Sequence, residues 1–406
     1  MPFGFGFRKK NAYVLMHKEI PVLSAEYEKD RIEFTKVKEI LNFDHVPYSI
    51  REEGNTVSLK WLNRWFKVRG IPGYRVGLNR LLDRLGIEDQ LQLLNEYYAL
   101  SVSDHYWLKE ENDPITYKKI SFFTHRFDQD GFGKAMFALG KADVEDSAYR
   151  TPNSTLAGYQ KKAWFHKQGR LYLYKGGTYP AQLEPVHEKL ASEIADRLGM
   201  DAVSYTTSVY ENQLVSVCAN MLDDSHDLIT ADEVLSLKEQ QKDKFEYYTY
   251  IETLQEQGIR NAQKAMDDML VLDFLMMNTD RHNQNLGVVI NCETMQWEKA
   301  APVFDTGTGL ACLRSDDEVE NWDEFYSYRL FNSSKITDNV VSYLIDDLSR
   351  YDFRVLNDIG DFYMESMRKH RMISGISEQR MESQVRLLEK RVKAIRKMQM
   401  KAGKNK

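Results

Sequence analysis

Apolar and polar positions follow three successive regimes along the chain. Between residues 12 and 110 the apolar positions come in short patches, at 12–16 and 32–43, and then in an amphipathic run that opens at Ser58 and carries Trp61, Leu62, Trp65 and Phe66. The helical spacing of that run predicts a mainly helical front part. Residues 78–85 closed by Gly86, and residues 87–100, extend the same reading, because glycine tolerates the left-handed turn that ends a helix. Residues 110–114 form a polar stretch ending in Pro114, where a new domain is expected to begin.

From Tyr149 the period shortens. The small-residue turn Thr151-Pro152-Asn153-Ser154-Thr155-Leu156-Ala157-Gly158 leads into Lys162-Ala163-Trp164-Phe165 and Arg170-Leu171-Tyr172-Leu173-Tyr174-Lys175, which predict two strands joined at 166–169. Residues 188–198 closed by Gly199 predict a helix. Residues 205–209 and 213–217 predict a second hairpin, and Cys218-Ala219-Asn220-Met221 follows where a connection between two lobes would fall. The third regime is helical. Residues 231–258 predict a long, charge-laced helix, and 260–277 carry Ala265, Met269, Leu272 and Leu275 or Met276 at helical spacing, a stripe expected to pack in the core. Further helices are expected after residue 328, the last a basic amphipathic one from Glu378 with Val385, Leu388, Val392 and Ile395 on one face.

The stretch 272–310 carries the candidate chemistry. Its apolar helix runs into the loop Asn278-Thr279-Asp280-Arg281-His282-Asn283-Gln284-Asn285, a hairpin follows, and Val303-Phe304 lead to the turn Asp305-Thr306-Gly307. An Asp, an Asn five residues later and a second Asp beyond a hairpin form the layout of a phosphoryl-transfer centre. There the first acid accepts the proton of a hydroxyl, while the amide and the second acid hold magnesium against the phosphates of ATP. Magnesium suits such a sparse set because it takes hard oxygen ligands and keeps several waters. Lys175 at a strand end and Glu188 at a helix start match the pair that fixes an ammonium against those phosphates. The turn at 151–158 could lay N–H groups on them. Each feature also has a plain reading, since Asp and Asn are ordinary turn residues and Lys175 alone could be a surface lysine. The order of the two acidic loops favours the phosphoryl-transfer reading. Phe304-Asp305-Thr306-Gly307 would also suit an aspartic protease, but that site needs two carboxylates sharing a proton, and the chain has no second Asp-Thr-Gly.

A length of 406 residues allows two or three domains. A formal net charge of -6 argues against nucleic-acid binding by the whole surface, and the basic, aromatic segment 64–80 reads as a solvated helix face. Cys218, Cys292 and Cys312 are odd in number and lack metal-ligand spacing, which suits a reducing compartment. The start MPFGFGFRKK lacks a signal-peptide pattern and no apolar run reaches membrane length, so the cytoplasm is the expected location.

The ordered motifs resemble the HipA-like serine/threonine kinases of bacteria. The resemblance rests on residues 278–285, 304–307, the run Ser154-Thr155-Leu156-Ala157-Gly158-Tyr159-Gln160-Lys161-Lys162 and the helix at 188–199, and so covers the chain from about Tyr149 onward. The front part, with Ser103-Asp104-His105-Tyr106-Trp107, resembles that of a HipA-related subgroup. This resemblance implies an α+β, two-lobed protein-kinase-like fold, with a helical front part at 1–112, a strand-rich N-lobe at 113–222 and a helical C-lobe at 223–406. It implies Asp280 as catalytic base, Asn285 and Asp305 as magnesium ligands, Lys175 as the ATP-phosphate lysine and Glu188 as its orienting partner. Thr155, Ala157 and Gly158 fall in the loop over the phosphates, and Ala219 to Met221 in the hinge that contacts adenine. Thr155, with Ser154 beside it, is the hydroxyl expected to be autophosphorylated. The acidic, aromatic residues 315–328 lie where a kinase places its substrate-gating segment. ATP and Mg2+ are the expected cofactors. A protein with a serine or threonine acceptor is the expected substrate and an antitoxin-like regulator a further partner, with no membrane and no direct nucleic-acid contact. Two alternatives stay open: a catalytically silent nucleotide-binding interaction module, and a kinase acting on a lipid or small-molecule hydroxyl.

Overall fold

The computed structural model describes residues 11–127, 131–137, 151–238, 245–320, 327–332 and 334–403. Its first third opens with strands, which corrects the expectation of a mainly helical front part. Asn11–His17, Ile20–Glu28, Glu33–Ile40 and Tyr106–Glu110 make an antiparallel sheet in which Asn11–His17 lies between Ile20–Glu28 and Tyr106–Glu110. The period-2 signal is hidden because both faces of Asn11–His17 are covered. Tyr13 and Leu15 enter one apolar cluster while Val14 and Met16 enter another, so the run reads as continuously apolar. Helices do form at Leu59–Val68, where the Ser58 side chain accepts from the Trp61 N–H, and at Leu78–Leu85. Residues Gln90–Ala99 form a 3-10 helix broken by non-helical backbone at Glu96, Tyr97 and Tyr98. The segment 64–80 is only in part a solvated face, because Arg69 pairs with Asp104 at 2.5 Å and Arg75 is buried.

The second sheet follows the expected hairpins. Lys162–Lys167, Arg170–Gly176, Gln213–Ala219 and Tyr205–Tyr210 lie side by side in that order, all antiparallel. Helix Glu184–Leu198 packs against it and starts a turn earlier than residue 188, with Pro185 in the first turn, where a missing N–H costs no helical bond. It ends at Gly199 with φ +67°. Its buried Leu190, Ala191 and Ile194 join the large core of the C-terminal half.

That half is built around Ala262–Met276, most of whose residues are buried. The charge-laced stretch after residue 231 is two helices, Ala231–Ser236 and Glu246–Glu256, and not one. Residues 239–244 lie outside the described residues, as do Tyr149 and 321–326 of the expected gating segment. A three-stranded sheet of His226–Thr230, Gly287–Asn291 and Trp297–Ala300 flanks the central helix. The basic C-terminal helix Glu378–Ala402 buries Leu388, Val392 and Ile395 in the same core. Buried Asp227 bonds His17 Nε2 at 2.6 Å and His105 Nδ1 at 2.5 Å, joining the front sheet to this half. Among the described residues no helix is long and apolar enough to cross a membrane.

Candidate active site

Helix Ala262–Met276 stops where Met277 turns to φ +50° and the Asn278 N–H bonds back to Asp273 O at 2.9 Å. Asp273 is buried in the last turn and receives Arg281 Nε and Nη2, each at 2.8 Å, together with Asn278 Nδ2 at 2.9 Å. The other guanidinium nitrogen, Nη1, donates to Asn285 O and to Phe304 O, each at 2.6 Å. One buried arginine therefore holds the loop at 280–285 and the turn at 304–307 in fixed relation. The turn is held from the other side by His187, whose Nδ1 lies 3.2 Å from Gly307 O and whose Nε2 lies 2.6 Å from the Tyr363 hydroxyl. Burial pushes the His187 pKa down to about 3, so its ring is neutral at physiological pH.

Asp280 stands at the open side of this frame. Its side chain is 44% exposed, with Arg329 Nη1 at 3.6 Å and His282 Nε2 at 3.8 Å, both beyond hydrogen-bonding distance. Burial is the largest influence on its carboxyl group, and with the charge of Asp305 it outweighs the pull of His282, Arg329 and Arg281, so the pKa is raised. Asn285 donates from Nδ2 to Asp280 O at 3.0 Å, which leaves its amide oxygen as the free acceptor.

Across the frame, the Lys175 ammonium bonds both Glu188 Oε1 and Asp305 Oδ1, the latter at 2.5 Å. Ser216 donates to the second oxygen of Glu188. Lys175 and Glu188 are almost wholly buried. Burial disfavours the Lys175 charge most, yet Asp305 and Glu188 together hold its pKa well above normal. Burial likewise opposes the charge of Asp305, but Lys175, then Lys162, hold that carboxylate below its ordinary range. Glu188 is raised, by burial first and by Asp305, against the pull of Lys175. Asp305 itself adopts φ +58°, a backbone state unusual for a non-glycine residue. Its carboxylate and the Asn285 amide oxygen are hard ligands of the kind magnesium takes alongside phosphate oxygens. Among the described residues no group of three or more His, Cys, Asp or Glu makes a metal cage.

The remaining expected residues are spread around this centre. Residues 152–155 form a short 3-10 helix that buries both hydroxyls: Ser154 Oγ donates to Thr151 O at 3.0 Å, and Thr155 Oγ1 to Leu100 O at 2.7 Å. Ala157 is exposed at the loop tip. Gly158 has φ +102°, a backbone state that other residues rarely adopt, and it lies against the Lys162 ammonium. Ala219 ends the strand whose Ser216 bonds Glu188, and Met221 lies in the turn that follows.

Sequence reading missed three contributors. Lys162 is the direct cross-strand neighbour of Lys175; burial first, and the charges of Lys175 and Arg75, lower its pKa to about 8 against the pull of Asp305. Its signal was the strand register, which the chain order alone does not reveal. Arg281 was visible inside the acidic loop, but its partner Asp273 was hidden in an apolar helix. Ser216 lies inside a predicted strand, where nothing in the local sequence marks its bond to Glu188.

The fold is a mixed α+β one built from antiparallel sheets and a helical C-terminal half. More particularly, residues 154–350, a little under half of the chain, match the HipA-like C-terminal domain. Over almost its whole length it is similar to HipA in the Shewanella oneidensis MR-1 toxin–antitoxin complex of HipA, HipB and operator DNA. That match has a TM-score of 0.54 and 13% identity, covering 95% of this chain and 99% of that one. It is also similar to the Helicobacter pylori proinflammatory kinase CtkA, at a TM-score of 0.44 and 21% identity, covering 60% of this chain and 94% of that one. At these identities the Shewanella likeness is one of fold. A comparison with curated protein sequences gives no match.

Proposed function

We propose that this protein is a HipA-type phosphotransferase that moves the γ-phosphoryl group of ATP to a serine or threonine hydroxyl, with magnesium held by Asn285 and Asp305. The observation that carries the reading is the Lys175 ammonium shared between Glu188 and Asp305, set across an arginine-braced frame from a half-exposed Asp280. Asp280 takes the proton of the acceptor hydroxyl. Lys175, oriented by Glu188, contacts ATP phosphates, and Arg281 keeps the base and the metal ligands in register. Bound magnesium supplies charge neutralisation on the phosphates. Ala157 and Gly158 cover the phosphates in this reading, while Ala219 and Met221 contact adenine. The substrate is a protein, and an antitoxin-like partner is part of the proposal because the Shewanella HipA was solved with HipB. Phosphorylation of Thr155 or Ser154 requires residues 151–156 to leave their buried position, since both hydroxyls now donate to main-chain carbonyls.

Two measurements bear on this reading. ATP should raise the melting temperature of the purified protein in magnesium and much less in EDTA, and Asp305→Ala should lose the magnesium-dependent part. A wild-type shift that ignores magnesium would contradict the ligand assignment. The second is the pH profile. Asp280 acts only when ionised, so transfer should be full above its raised pKa and fall as pH drops through it, at a pH above the ordinary aspartate value of about 4. An acid limb at or below that ordinary value would remove Asp280 as the titrating base.

A further inference from the structure

Segment 64–80 of the front part, basic and aromatic, sends Arg75 inward to the loop at 156–160. Arg75 is 3% exposed. Its Nε donates to Gly158 O at 3.0 Å and its Nη2 to Leu156 O. The next residue, Val76, donates its N–H to Tyr159 O at 3.0 Å. Three carbonyls of one short loop are thus turned toward the front part. In a trans peptide the following N–H points the opposite way, so the N–H groups of Ala157, Tyr159 and Gln160 face away from Arg75. None of the three donates to any group among the described residues. Unpaired loop N–H groups of this kind are donors an anion can take, and the Lys162 ammonium lies against Gly158.

Arg75 also lacks what normally accompanies a buried guanidinium. No carboxylate pairs with it among the described residues, and its Nη1 is buried without a hydrogen-bond partner. Burial lowers its pKa to about 9. A buried cation without an acid is unfavourable in the free protein and is relieved by an anion brought to the loop.

We infer that Arg75 is a positioning residue of the nucleotide site: by holding the Leu156 and Gly158 carbonyls, the front part sets the loop to receive the phosphates of ATP. The inference rests on the proposed kinase reading and extends it to a part of the chain outside the family match. It makes the front part a determinant of phosphate affinity.

Calorimetry on the full chain with Mg-ATP and with adenosine tests this in wild type, Asp280→Ala, Arg75→Met and Arg75→Lys. Arg75→Met is expected to weaken Mg-ATP binding about tenfold to a hundredfold, the worth of lost charged hydrogen bonds, and to leave adenosine binding unchanged. Arg75→Lys keeps the charge without the two-pronged geometry and should fall between. The melting temperature of nucleotide-free Arg75→Met should stay near wild type, since an apolar side chain replaces a buried unpaired charge. If either Arg75 variant, folded by circular dichroism, binds Mg-ATP within about twofold of wild type, Arg75 has no such role. That outcome leaves the kinase reading intact when Asp280→Ala binds normally. Absence of Mg-ATP binding in wild type and Asp280→Ala alike overturns both.

Discussion

Asp280→Ala is expected to bind Mg-ATP about as tightly as the wild type while transferring phosphoryl groups roughly a hundred- to ten-thousandfold more slowly. The separation follows from where Asp280 sits. Its carboxylate is half exposed and hydrogen-bonds to neither of its charged neighbours, so its loss leaves no buried group unpaired and the frame stands. The nucleotide contacts are assigned to other residues, Lys175, Asn285 and Asp305. A loss of ATP affinity equal to the loss of rate would place Asp280 among the nucleotide ligands and remove it as the base. Single-turnover rates and equilibrium binding on the same preparation separate the two outcomes.

Arg281→Ala should act in the opposite manner, through stability. Arg281 is 1% exposed and makes two bonds to Asp273 and one each to Asn285 O and Phe304 O. Its removal leaves the Asp273 carboxylate buried with Asn278 Nδ2 as its remaining side-chain donor. Breaking a buried ion pair in this way costs about 3–5 kcal/mol, enough to lower the melting temperature by roughly 5–15 °C. The paired change Arg281→Met with Asp273→Leu should cost less than Arg281→Ala, because no uncompensated charge then remains. A melting temperature within a degree or two of wild type in Arg281→Ala would mean that the two loops are held by other contacts.

Much of the site was legible because its residues are close in sequence. Asp280, Asn285 and Asp305 fall within one stretch, and the strands at 162–176 and 205–219 show themselves as short apolar and aromatic runs separated by turn residues. Gly199 and Gly86 marked helix ends correctly, each with positive φ. What escaped depends on contacts distant in the chain. Lys162 gains meaning only from its register opposite Lys175, and Arg75 only from its contacts with Leu156 and Gly158, 81 and 83 residues away. The front sheet was hidden for a different reason: a strand covered on both faces loses the polar alternation that would identify it. The buried state of Ser154 and Thr155 was not legible either, since small hydroxyl residues fit an exposed turn equally well, and the acceptor Leu100 O belongs to the front part.

The central claim is that this centre transfers phosphate. Its most direct test is intact-mass and peptide mass spectrometry of the purified protein after incubation with magnesium and ATP, beside Asp280→Ala under the same conditions. The account predicts added phosphate in the wild type, at Thr155 or Ser154, and none in Asp280→Ala. Phosphate gained equally by both proteins would contradict Asp280 as the base, and no gain in the wild type while ATP still raises its melting temperature would favour a nucleotide-binding module over an enzyme that modifies itself.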